Sequence, residues 1–176
     1  MKLEGRITVA TPLEEAWARI NDPRVLESCA PGLSSLVSSG EDRFEAVVEL
    51  DLAAVQGRFT GSLDFVERQA PEFVRVRLEG KGGLGFVVGD VELRLAETDE
   101  GTEFRYVADV NVGGQIGRLG QRMVSGVTRE MAGQFFESFE RWEPTTDPGA
   151  RQGGRPSWPR LLWRSLLRIL GLRSSS

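Results

Sequence analysis

The stretch FRYVADVNVGGQIGRLGQRMVSGVTREMAGQFFESFERW (residues 104–142) decides the fold, because its apolar residues change period partway along. Phe104, Tyr106, Ala108, Val110 and Val112 occupy every second position, the period of a strand with one buried face. After Gln115 the spacing lengthens. Ile116, Leu119, Met123, Val127, Met131 and Phe135 recur every three or four residues, the stripe of an amphipathic helix reaching to Trp142. A strand that runs straight into a long helix needs a sheet on which the helix can lie.

Working back from that stretch, the chain supplies the sheet. Leu3, Gly5, Ile7 and Val9 share one parity, and so do Phe44, Ala46, Val48, Leu50 and Leu52, with Glu45, Glu49 and Asp51 opposite them. Phe59, Gly61, Leu63 and Phe65 alternate in the same way, as do Val74, Val76 and Leu78, and Val91, Leu93 and Leu95. One apolar and one charged face per strand describes an antiparallel sheet covered on one side. The turn signals SSGED, VQG, QAPE, GKGG and TDEG separate the runs. Two short helices interrupt after the first strand. Thr11-Pro12-Leu13-Glu14 has the spacing of a capping box, and Asp22-Pro23 opens a helix that ends at CAPG. The expected fold is α+β, a helix grip: a curved antiparallel sheet of about seven strands around a long C-terminal helix.

A helix grip commonly encloses a cavity. The candidate lining is Phe44, Phe59, Tyr106 and Val110 from the sheet and Leu84 and Phe86 from the glycine-rich GKGGLGFVVG turn. The helix would add Ile116, Leu119, Met123, Val127 and Met131. Gly117, Gly120, Gly126 and Gly133 each cost about 1 kcal/mol in a helix relative to alanine, so they mark either room or close contact with the sheet. The glycines at 80–89 precede a strand rather than a helix, which argues against a phosphate loop. Tyr106, the sole tyrosine, is either a core residue or a hydroxyl facing the cavity.

Composition removes several chemistries. The chain has no histidine, which excludes His-based acid–base catalysis, Ser–His triads and His metal sites. Its single cysteine, Cys29, forms no internal disulfide and has no histidine to activate it. The opening MKLEGRITVA lacks the pattern of a signal peptide. No catalytic constellation emerges, and the expectation is a protein that is not an enzyme.

Charge divides the chain. Residues 1–143 carry a net −9, whereas residues 144–176 carry +5. The Pro- and Gly-rich stretch 144–157 reads as a linker, spanning roughly 20 Å as a flexible coil. A helix over 158–173 follows. Arg160, Arg164 and Arg168 form one stripe, and Trp158, Leu161, Leu162, Trp163, Leu166, Leu167, Ile169 and Leu170 cover the remaining surface. Its fifteen residues from Trp158 to Leu172 make about 22 Å, shorter than the roughly 30 Å hydrocarbon core, and arginines at depth are costly. It reads first as an interfacial helix on an anionic membrane. Docking in a partner's groove or on its own domain are the alternatives. The acidic body argues against nucleic acid.

The segments MKLEGRITVATPLEEAWARINDPRVLESCAPG, VQGRFTGSL, GKGGLGFVVGD, ADVNVGGQIGRLGQRMV and MAGQFFESF together resemble the CoxG proteins of carbon monoxide dehydrogenase, a family of the START-like (SRPBCC) superfamily, over about residues 1–142. The resemblance implies a helix-grip domain with an apolar cavity. It also implies a role beside a molybdenum hydroxylase of the carbon monoxide dehydrogenase type, recruiting it to the cytoplasmic face of the inner membrane and supporting electron transfer to the quinone pool. Cavity and anchor together suggest an isoprenoid ligand, a menaquinone-like quinone, with no covalent cofactor. A stand-alone lipid-transfer protein, and a START-like cyclase or hydrolase, are the other readings.

Overall fold

Alternation becomes a single sheet in the computed structural model, which describes residues 1–52 and 55–144. The strands are β1 (Lys2–Val9), β2 (Leu33–Ser38), β3 (Arg43–Leu52), β4 (Val55–Gln69), β5 (Phe73–Gly82), β6 (Gly85–Thr98) and β7 (Gly101–Gly113). Helices α1 (Leu13–Ile20) and α2 (Pro23–Cys29) follow β1, and α3 (Gly114–Arg118) and α4 (Gly120–Arg141) follow β7. The seven strands lie in the order β1-β7-β6-β5-β4-β3-β2, every pair antiparallel. Met1–Glu143 make one compact unit. The linker read over 144–157, Pro144 apart, and the helix read over 158–173 lie outside the described residues.

Register sets the faces. Ala108 stands between Leu3 and Val91, and Val91 pairs in turn with Val76, so one apolar row crosses four strands on the inner face. The opposite parity holds cross-strand ion pairs: Arg77 with Asp90 at 3.1 Å, Arg75 with Glu92 at 2.8 Å, and Arg43 with Asp64 at 3.1 Å. Such exposed pairs contribute little, about 0–1 kcal/mol each, but they keep this face wet. The inner face therefore receives the helices.

The main core forms where the C-terminal half of α4 meets the sheet and the two short helices. Phe104 of β7 is fully buried, with the rings of Phe136 and Phe139 at 4.8 and 5.6 Å from it. Val9, Ala16, Val25, Val74 and Leu95 belong to the same cluster. Arg19 of α1 ties down the helix end. Its Nη1 donates to the Phe139 carbonyl at 2.9 Å, and its guanidinium lies 5.6 Å from the Trp142 ring. A second, smaller cluster joins Leu3, Ala108 and Val110 to Val124 of α4.

Two local features differ from the expectation from sequence, and a strand without a run of its own joins the sheet. The long helix is two helices, because Gly120 sits at φ +77°, a left-handed conformation that interrupts the helix between α3 and α4. The capping box at Thr11 does not form: α1 starts at Leu13 behind Pro12 with no side-chain cap, and the buried Thr11 gives its carbonyl to the Thr102 hydroxyl at 2.8 Å. Strand β2 (LSSLVS) does not alternate because its register with β3 shifts between Leu33 and Ser35. The Asp22-Pro23 start of α2 forms as expected, with Asp22 Oδ1 accepting from the Arg24 amide at 2.9 Å.

Candidate functional site

The candidate lining residues fall into three groups. Phe44 and Val110 are buried within the two core clusters, and Ile116 is buried where α3 starts. Phe59, Leu84, Leu119, Val127 and Met131 are half-buried and belong to neither packed cluster. Met123 and Phe86 are exposed, at 45% and 43%.

Phe86 does not reach the inner face. The two-residue turn Gly83-Leu84 joins Gly82 to Gly85, and this register gives Phe86 the parity of Lys81 and Gly113. Its ring lies over Gly113, while its neighbour Val87 turns inward to the second core cluster. Leu84, at the turn itself, accepts at its carbonyl from the Ile116 amide at 3.1 Å, which fastens the β5–β6 hairpin to α3.

The middle of the sheet keeps an apolar inner face that packing does not use up. Val48 and Phe59 are direct cross-strand partners, and Leu78 lies on the same face of β5. All three are half-buried and outside both clusters. Val48 and Leu78 were missing from the candidate lining, and their inward parity is the sequence signal that points to them. Around them Gly61 pairs with Gly80, and Phe59 with Gly82. A Cβ on Gly80 would meet nothing within 4 Å, whereas one on Gly61 would run into the Glu79 carbonyl of the neighbouring strand. The helix glycines divide by role: a Cβ on Gly117 would come within 2.8 Å of the Val112 carbonyl, whereas Gly126 and Gly133 face open space.

Tyr106 is 8% exposed, and its hydroxyl reaches across β1 to lie over Gly5. That hydroxyl has no hydrogen-bond partner among the described residues, yet none of their fully enclosed polar side-chain atoms lacks one. The oxygen therefore opens onto a small pocket beside β1. Cys29 is buried, and desolvation pushes its thiol above the ordinary value. Trp158, Arg160, Leu161, Leu162, Trp163, Arg164, Leu166, Leu167, Arg168, Ile169 and Leu170 lie outside the described residues. Among the described residues no helix is long and apolar enough to cross a membrane.

Residues 5–142 match the family described as the CoxG subunit of carbon monoxide dehydrogenase. A conserved protein from Geobacillus kaustophilus is 30% identical, with a TM-score of 0.76, over 80% of this chain and 93% of that one. A Mycobacterium smegmatis protein is 18% identical with a TM-score of 0.59, over 80% of this chain and 88% of its own. A protein from Chromobacterium violaceum is 12% identical with a TM-score of 0.60, over 80% and 95%. The last two speak for the fold alone. No curated protein matches the chain.

Proposed function

The chain belongs to the CoxG family of carbon monoxide dehydrogenase, and on that ground we propose that it is a non-catalytic accessory of a molybdenum hydroxylase of the carbon monoxide dehydrogenase type. It recruits that enzyme to the cytoplasmic face of the inner membrane and binds a quinone-like isoprenoid, so that electrons pass to the quinone pool. With no histidine in the chain, the reading assigns it no bond-making step.

The observation that carries the ligand half is the unspent apolar face. Val48, Phe59 and Leu78 from the sheet, and Leu119, Val127 and Met131 from the helices, remain half-buried instead of joining a core. Apolar side chains left in this state gain roughly 25 cal/mol for each Å² that a ligand removes from water. An isoprenoid chain needs no polar partner along its length, which suits such a lining. The membrane half rests on the sequence of the tail, whose arginine stripe and tryptophans suit an anionic interface.

Co-sedimentation tests the recruitment directly. The purified hydroxylase is mixed with phosphatidylglycerol vesicles, with and without this protein. The hydroxylase should pellet when the full chain is present and stay in solution when the chain lacks residues 145–176. Equal pelleting in all samples overturns the recruitment reading.

A further inference from the structure

One end of the sheet differs in charge from the rest of the body. The β5–β6 turn, the end of β7 and α3 are fastened together there. The Leu84 carbonyl accepts from the Ile116 amide at 3.1 Å, Gly85 bridges to Gly114, and the Phe86 ring lies over Gly113. Residues 80–89 and 110–129, which build this end and the first turns of α4, contain Lys81, Arg118, Arg122 and Arg129 and no carboxylate. They carry +4, whereas the remainder of residues 1–143 carries −13. We infer that this end of the domain docks on the surface of an anionic bilayer, a contact separate from the tail's and one that rests on the isoprenoid reading above.

Exposed apolar side chains stand among these cations. Phe86 is the cross-strand partner of Lys81, and Met123 follows Arg122 at the start of α4. Both are more than two-fifths exposed, and Leu84 is half-buried at the turn. At a lipid surface such groups enter the acyl boundary while lysine and arginine reach for anionic head groups. The unspent inner face also comes to this end, since Phe59 pairs with Gly82 beside the turn and Leu119 joins α3 to α4. An apolar ligand passing here between the bilayer and the inner face stays out of water, which a solvated protein partner would not allow.

Ion pairing separates the two ends. At the opposite end Arg19 pairs with Glu15, Arg24 with Asp22 and Arg68 with Asp42. Lys81, Arg118 and Arg122 have no ion-pair partner among the described residues. Beside the β5–β6 turn, the β3–β4 end sets Arg58 opposite Glu49 and carries Asp51, so the positive part is the side made by the turn and the helices. Each cation near an anionic surface is worth about fivefold in partitioning. Three of them with shallow apolar contacts are too weak to hold the protein alone, because stable anchoring takes a second signal. The tail supplies the hold, and this end sets the orientation.

Gly83 offers a label site at the turn, since it is exposed and a Cβ there would meet nothing within 4 Å. The native Cys29 is buried. Full-length Gly83→Cys, and Glu100→Cys in the exposed turn between β6 and β7 at the opposite end, are each labelled with bimane. The labelled chains are mixed with vesicles of phosphatidylglycerol, with or without bromine in the acyl chains. The Gly83 label should shift to the blue on these vesicles and be quenched by the brominated chains, and the Glu100 label should do neither. Lys81→Gln, Arg118→Gln and Arg122→Gln, each added to labelled Gly83→Cys, should lower partitioning about fivefold. Protein that pellets with the vesicles while both labels keep their aqueous emission would overturn this inference and leave recruitment by the tail standing. Equal responses at both labels, or unchanged partitioning in all three variants, would overturn it too. So would a Gly83 response to added hydroxylase but not to vesicles, which would assign this end to the protein partner. Absence of both pelleting and label response would overturn the tail reading along with it.

Discussion

A Cβ on Gly5 would lie 2.3 Å from the Tyr106 hydroxyl oxygen and 2.4 Å from the ring carbon that bears it. Gly5 and Tyr106 are direct partners in the β1–β7 register, and the end of the ring occupies the space that a side chain at residue 5 would take. A glycine in a strand otherwise weakens it. Here it makes room for the aromatic ring and leaves the hydroxyl at the pocket of the β1 edge.

Gly5→Ala should therefore displace the Tyr106 ring and cost about 1–3 kcal/mol in urea unfolding, the range for overpacking. Its tyrosine ring signals should move as well. A variant as stable as the parent, with the ring signals in place, would mean that the ring can shift without strain.

Phe139→Ala should be among the most damaging single changes. Phe139 is fully buried, stacks edge-on against Phe104, and ends the helix that Arg19 holds. Truncating such a ring costs about 3–5 kcal/mol. Phe86→Ala, at 43% exposure on the outer face, should change stability by under about 0.5 kcal/mol. Similar losses at the two positions would contradict the assignment of faces.

Asp22 caps α2, and Asp22→Ala should cost about 1 kcal/mol. The Arg24 side chain, by its hydrogen bond, holds the Asp22 carboxyl below the usual aspartate value. A group lowered in the folded state binds its proton less tightly there than when unfolded. Its contribution is therefore present above the ordinary carboxylate value and fades as pH falls through the lowered one. Asp22→Asn keeps a cap and should lose that acid-side slope, which denaturation at stepped pH would reveal.

Cys29 is buried, and burial raises its thiol, with the Arg19 charge pulling weakly the other way. The thiolate is the reactive form, so Cys29 should react with a disulfide reagent far more slowly than a free thiol at neutral pH. Unfolding in urea should bring the rate to the ordinary value. Rapid labelling of the folded chain would show that the α2 end opens. Because the thiol is raised, its contribution to stability is complete below the ordinary thiol value and is lost as pH rises further.

Most of the fold is legible from periodicity, since most strands bury one face and the order from β2 to β7 follows the hairpins, with β1 closing beside β7. Phe86 escapes because a two-residue turn resets parity, and nothing in GKGGLGFVVG says which side of the reset a residue falls on. Phe73 escapes for another reason. It sits on the charged face at 5% exposure, with the guanidiniums of Arg94 and Arg75 at 4.8 and 5.8 Å from its ring. That shelter depends on cross-strand neighbours, so no local pattern announces it. Tyr106 stands out in the sequence as the sole tyrosine on an apolar parity. Its relation to Gly5 and to Arg129 depends on which edge strand and which helix turn lie beside it.

The central claim is that this chain carries an isoprenoid quinone on its apolar inner face. The direct measurement is mass spectrometry of the solvent extract of full-length protein, purified without detergent from a menaquinone-producing host. The account predicts a near-stoichiometric isoprenoid quinone, lost from folded Phe59→Arg and Leu78→Arg variants. Protein that yields no isoprenoid and takes up no added menaquinone would contradict it.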